Sequence, residues 1–447
     1  MNAQRLETSR LLHRFGFGPR PGEYAQALKD GVAATRTKVL TVPAVDAGAA
    51  TVVEPEITDL GPRPKPNTKE IVPFSIAMRF QIQQMVMWWL DRMAVSDHGL
   101  TERMTWFWHG HWATSVQKLN YAMPMFKQNK TLRTYCLGNF ASMTKAMLND
   151  GALQFWLDGQ DNTVKAPNEN LGRELMELFT LGVGRYSEDD VKNISRTLTG
   201  YQVVRSNGTV TINQNRRDKN PVSLLGTNAV FTGDSVADFL VARDDSAQFV
   251  AERLWYRFMS STEDMPASFS VKGAFASRDI SAAVAAMAND SAMRDEKYAM
   301  VKSPVEWLIS ACRALELTPS QLKTPAQLIN YLDKLGQVPF SPPNVGGWPA
   351  GEAWLSSATA QYRIAFATWL IKQSNLRALN EIKPASRVIK SADWLGVAEW
   401  SPRTQSALRS SVNGITVFNP SLPPYKVTTT RIGVLAGNGR SIAACAI

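Results

Sequence analysis

Along most of the chain, apolar residues recur three and four positions apart, the spacing that puts them on one face of a helix. Residues 5–40 read as helical, with spaced apolar positions from Ala25 to Leu40. Further helices are expected over 76–94, from Leu100 into Trp106-Phe107-Trp108-His109, once or twice within 121–147, over 168–181 and over 188–198. The pattern resumes over 235–259, 280–287, 304–315, 325–335 and 358–374. Two local signals support these bounds. Gly182 and Gly184 follow one segment as helix-ending residues, and Ser303-Pro304 places a capping side chain ahead of a proline at the first helical position.

Two stretches break the pattern. Pro43, Pro55, Pro62, Pro64, Pro66 and Pro73 remove amide donors and restrict the residues before them, so 41–73 is expected to be an extended connection. Residues 201–212 carry β-branched runs on either side of Asn207-Gly208, the strongest short hairpin cue. The fold class that follows is mainly α. One large helical domain is expected over 1–410, with the proline-rich connection and a small β-hairpin insertion near 201–212, then an atypical tail over 411–447.

Composition changes this picture little. Of 447 residues, 44% are apolar and 20% charged, which allows a large core. No run of about 18 uncharged apolar residues occurs, so no transmembrane segment is expected. The first residues lack the apolar stretch of a secretion signal, which points to the cytoplasm; export with a partner or after loss of a leader stays open. The formal charge of +10 is spread along the chain without a basic tract or reading motif, so no specific nucleic-acid binding is expected. Cys136, Cys312 and Cys445 form no CxxC and read as free thiols.

Candidate chemistry concentrates in two clusters. Histidine is scarce, yet His109 and His111 flank Gly110 within a run that includes Trp106, Phe107, Trp108 and Trp112. Residues two apart on a continuous helix diverge, so the imidazoles converge only if the helix ends or distorts at Gly110. Converging, they could ligate a divalent metal or act as acid and base. The plainer reading is two histidines satisfied in an aromatic core. The second cluster is Asn168-Glu169-Asn170 with Arg173 and Glu174. Asn170, Arg173, Glu174, Glu177 and Thr180 share one face at 100° steps, opposite Leu171, Leu175, Leu178 and Phe179. That face is either a solvated surface or a pair of carboxylates for acid–base or metal chemistry, with Asn168 as the cap. Asn344 and Trp348 lie in the rigid Pro342-Pro343-Asn344-Val345-Gly346-Gly347-Trp348-Pro349 loop, which suits either a flat ligand or closure of a core. No phosphate loop, dinucleotide fingerprint or nucleophile elbow occurs.

Together, Leu11-Leu12-His13-Arg14-Phe15-Gly16-Phe17-Gly18-Pro19, the Phe107–His111 stretch, the Pro167–Gly182 stretch and the Pro342–Pro349 loop resemble the DUF 1800 family, a bacterial domain of unknown function, over about residues 9–409. The resemblance implies no settled activity. Many relatives are exported and accompany a family resembling alkaline phosphatases and sulfatases, which by analogy points to polymer or glycan metabolism. This chain departs from the pattern at Arg216-Arg217-Asp218-Lys219, where relatives tend to carry His-Asp, and in its tail.

Three functions follow as expectations. The first is a hydrolase of a polymeric or glycosylated substrate, with His109, His111, Glu169 and Glu174 catalytic and a divalent metal on His109, His111 and Glu174. Asn168, Asn170, Arg173, Trp108, Asn344 and Trp348 would bind the ligand. The second is a non-catalytic binding or assembly module with a structural polar core. The third is a metal-dependent oxidoreductase.

Overall fold

The computed structural model describes residues 2–413, apart from 270, 376–382, 384 and 385. Helices dominate it, and the strands among the described residues form two separate antiparallel hairpins. The expected hairpin pairs Tyr201–Val204 with Thr209–Ile212 across the Asn207-Gly208 turn, with Tyr201 opposite Ile212. A second hairpin, Val222–Leu224 with Thr227–Ala229, has no conspicuous turn dipeptide. Its turn is Leu225-Gly226, both at positive φ, so a leucine occupies a backbone region that usually calls for asparagine or glycine. The expected tail, 411–447, falls beyond residue 413 for most of its length, outside the described residues.

Helix bounds differ from expectation where local chemistry intervenes. The connection 41–73 contains a short helix, Ala47–Ala50, whose Asp46 side chain accepts from the Ala49 amide. The next helix, Ile71–Val95, takes in Pro73. Proline fits there because first-turn amides have no intrahelical partner to lose. The expected 235–259 helix is two, Gly233–Ala242 and Asp244–Phe258, broken at an extended Arg243. Asp244 and Asp245 then sit in the first turn of the second, where the helix dipole favours negative charge. Ser303 and Pro304 start the Pro304–Leu315 helix as read, and the Ser303 amide donates to Glu306 at 3.0 Å.

Two large apolar clusters make up the core. One gathers Leu11, Phe15, Met104, Phe107, Trp108, Trp112, Phe140, Phe179 and Phe258. The other gathers Phe17, Met85, Trp88, Trp89, Trp106, Val305, Phe340 and Trp348. The Leu100–His111 helix contributes to both, and every residue from Glu102 to His109 is buried. Burying Glu102 requires full compensation. The Trp89 indole donates to it at 2.9 Å, Arg92 at 3.0 Å, and Arg133 reaches both its oxygens at 2.8 Å.

Candidate functional site

The Leu100–His111 helix runs through Gly110 without a break. His109 and His111 therefore diverge by two helical steps, about 200°, and each follows the core it faces. The His109 ring packs near Trp89, Trp106, Phe340 and Trp348. The His111 ring packs near Phe107, Trp108, Trp112 and Phe179. The convergence that shared chemistry needed does not form, because a helix buried on both sides has no reason to distort.

Each imidazole is committed to main chain. The Phe340 amide donates to His109 Nε2 at 3.0 Å, so neutral His109 carries its proton on Nδ1. Phe340 has φ +65°, a left-handed conformation costly for a bulky residue. Its carbonyl accepts from the Val116 amide at 2.9 Å, so both of its polar groups are held. His111 takes the opposite tautomer: its Nε2 donates to the Phe179 carbonyl at 2.9 Å. Its Nδ1 is buried with no hydrogen-bond partner among the described residues. Burial pushes the His109 imidazole down to about 3. Burial also pushes His111 down to about 3, aided by the Arg253 charge and opposed by the bond to Phe179. Both are neutral throughout the physiological range.

The Phe179 carbonyl joins the two sequence clusters. The helix Asn170–Glu174 continues as a π-turn over Leu175–Thr180. Here the Leu181 and Gly182 amides both donate to the Met176 carbonyl, and the Thr180 hydroxyl donates to Leu175. π-turns are rare and often lie at functional positions. Gly182, at φ +93°, ends the helix as expected.

The polar residues of this segment face away from the histidines. Arg173 pairs with Glu188 at 2.7 Å and Glu169 at 3.2 Å, at a site open to solvent. Glu174 is partly exposed. Burial and the adjacent Glu177 charge raise its carboxyl above the ordinary range, against Arg173. Glu177 accepts a hydrogen bond from the Tyr186 hydroxyl. Asn168 is not the cap: the helix starts at Asn170 after Glu169, and Asn168 Oδ1 accepts from the Asn170 amide at 2.9 Å. Asn170 Nδ2 reaches Asp158 at 3.4 Å. Among the described residues no three His, Cys, Asp or Glu side chains are grouped as metal ligands. The expected His109, His111 and Glu174 set is thus not assembled.

Of the remaining expected ligand contacts, Trp108 and Asn344 are spent on the fold, while Trp348 packs in the core with its indole N–H unpartnered among the described residues. Trp108 is fully buried and its indole donates to the Cys136 carbonyl at 2.9 Å. Asn344 Oδ1 accepts from the Gly346 amide at 2.9 Å, shaping its own turn. Trp348 is buried and stacks on Trp106 with centroids 5.2 Å apart. Gly347, at φ +81°, lies against the Gly110 carbonyl, so a Cβ there would collide with it.

Between that loop and the helix lies a crevice of about 30 Å3 that sequence reasoning missed. Arg103, Trp106, Gly110, Arg257, Glu306 and Trp348 line it, with Phe107, Phe258, Ser303 and Gln337 completing the wall. Arg103 bonds to Glu306 and, through Nε, to the Arg14 carbonyl at 3.0 Å. Arg257 donates to the carbonyls of Trp348 and Pro349. Burial would raise the Glu306 carboxyl, but the Arg103 charge, the Ser303 amide and Arg257 together hold it below its ordinary value. Glu306 is packed among these groups, yet 19% of its side chain stays reachable by solvent. Trp106, Gly110, Trp348 and the Ser303-Pro304 helix start were each legible in the sequence, but nothing there joined them into one site. Arg257 falls within the expected 235–259 helix and carries no motif.

No helix among the described residues is long and apolar enough to cross a membrane. No curated protein and no solved structure matches the chain. The profile of the family described as "Protein of unknown function (DUF1800)" matches residues 10–419, an interval holding both histidines, the π-turn, the crevice and the glycine-rich loop. The chain belongs to the DUF1800 family.

Proposed function

We propose that this protein is a non-catalytic binding or assembly module whose histidine centre fixes the fold. One observation carries the reading: His109 and His111 are buried, neutral and each bonded to a backbone group from a distant segment. A general base must reach a substrate proton, and a metal ligand must share its ion with others. His109 gives its lone pair to the Phe340 amide, and the unpartnered lone pair on His111 Nδ1 is buried away from solvent. The test is elemental analysis of purified protein together with unfolding of His109→Gln and His111→Gln. The reading expects both variants to unfold earlier, with no equivalent of divalent metal lost. A variant that keeps its unfolding midpoint while losing bound metal would overturn it.

A second reading, a hydrolase of a polymeric or glycosylated substrate, is favoured by the pair of Glu174, which ends the α-helix, and Glu177 on the π-turn. Glu174, held protonated more readily, would act as acid, and Glu177, oriented by Tyr186, as base. Reducing-end release from acidic and neutral polysaccharides, lost in Glu174→Gln with the unfolding midpoint unchanged, would favour this reading over the first.

A further inference from the structure

Gly110 is unexplained by the protein's own packing. It lies in the last turn of the Leu100–His111 helix, where glycine is tolerated but alanine would serve as well. It is not among the residues of positive φ, so its backbone needs no glycine. A Cβ on it would meet no atom within 4 Å, so close packing does not exclude a side chain either. What adjoins it is the crevice.

The crevice walls are chemically biased. Arg103 and Arg257 line it, with Arg253 one helical turn before Arg257, and Glu306 is the one carboxylate in its lining. Arg257 gives its terminal nitrogens to neutral carbonyls, and the nearby Glu306 is ion-paired to Arg103, so two guanidinium charges share one carboxylate. Among the buried donors without partners in the described residues are the indole N–H of Trp348 and the hydroxyl of Ser303, both on residues of the wall, and Nε of Arg253 behind it. Unpaired buried donors are costly and seek an acceptor. The free volume, about 30 Å3, suits about two water-sized atoms, the two oxygens of a planar carboxylate and not the four of a sulfate or phosphate.

We propose that this crevice binds the carboxylate of an acidic ligand, whose two oxygens lie over Gly110 between Arg257, Arg103 and the Trp348 indole. Only the carboxylate enters; the body of the ligand stays outside at the solvent-reached mouth beside Glu306. Acidic sugars, the uronates, present a carboxylate in this way. The inference rests on the binding reading above and gives it a ligand class.

The test is calorimetric titration of the full chain with glucuronate, with acetate and sulfate as comparisons. Saturable binding of glucuronate and acetate is expected, with sulfate at least tenfold weaker. Gly110→Ala should weaken glucuronate at least tenfold without lowering the unfolding midpoint, because its methyl group enters empty space. Arg257→Gln should also weaken it, but that variant loosens the 348–349 backbone, so Gly110→Ala decides. No saturable carboxylate binding, stronger sulfate binding, or unchanged affinity in Gly110→Ala would each overturn the proposal. Failure here leaves the histidine unfolding test untouched, so the loss of this site and the loss of the binding reading are told apart.

Discussion

The two polar clusters look alike in sequence and differ in kind. Around His109 and His111, polar atoms sit among tryptophan and phenylalanine rings, and each imidazole answers a backbone group that has few alternatives. Around Arg173, the same density of polar residues forms ion pairs whose side chains are 33% to 68% exposed. Water competes for every one of those contacts. The contrast teaches that rarity and clustering of polar residues do not mark chemistry. What separates the clusters is what surrounds the helix that carries them.

The comparison is broken most directly at His111. His111→Ala removes a buried ring and leaves the Phe179 carbonyl of the π-turn without its donor. We expect a loss of about 3–5 kcal/mol in denaturant unfolding. A loss below about 1 kcal/mol would place His111 with the wet cluster. His109→Ala comes next, at about 2–4 kcal/mol, because the Phe340 amide is left unpaired in a strained turn.

Acid should separate the clusters a third way. With folded pKa values near 3 against an unfolded value near 6.5, His109 and His111 bind protons only in the unfolded chain across that window. Their contribution is therefore full above about pH 6.5 and lost progressively as pH falls. Asp150 opposes this. Burial pushes its carboxyl up to about 6, so it takes up its proton more readily when folded and gains stability as pH falls through that value. These three groups together give a loss of roughly 2 kcal/mol between pH 7 and 5.5, and buried His13, also pushed well below its ordinary value, adds to it. That slope, followed by denaturant midpoints, should flatten in His109→Gln/His111→Gln; an unchanged slope would show that other groups carry it. The smallest effect belongs to Arg173→Ala, whose midpoint should stay near that of the native chain, because its partners are solvated. A large shift there would mean the exposed network bears on the core after all.

Much of the fold was legible in the sequence. Helical spacing located most of the long helices, Asn207-Gly208 located a hairpin, and Ser303-Pro304 marked a helix start. The second hairpin was hidden because Leu225 does what asparagine usually does in its turn. The site was harder to read for a geometric reason. Whether His109 and His111 meet depends on whether both faces of their helix are buried, and those faces are covered by segments far away in sequence. Gly110 suggested a break in the helix, whereas the helix continues through it to His111 and the glycine marks open space. Arg257 carries no motif at all. Its position opposite Arg103 comes from the packing of the Asp244–Phe258 helix.

The bond from Phe340 to His109 spans 231 residues. At the other end, Arg5 donates to the Ala398 carbonyl across 393 residues, and Ser9 to Gly396 across 387. As the chain is synthesised, the first helices therefore emerge long before the segments that seal them. Trp89, Trp106 and His109 wait uncovered until residues 340–348 leave the ribosome. A ribosome stalled before that point holds a nascent chain with this aromatic surface open, a state in which holding by a chaperone matters.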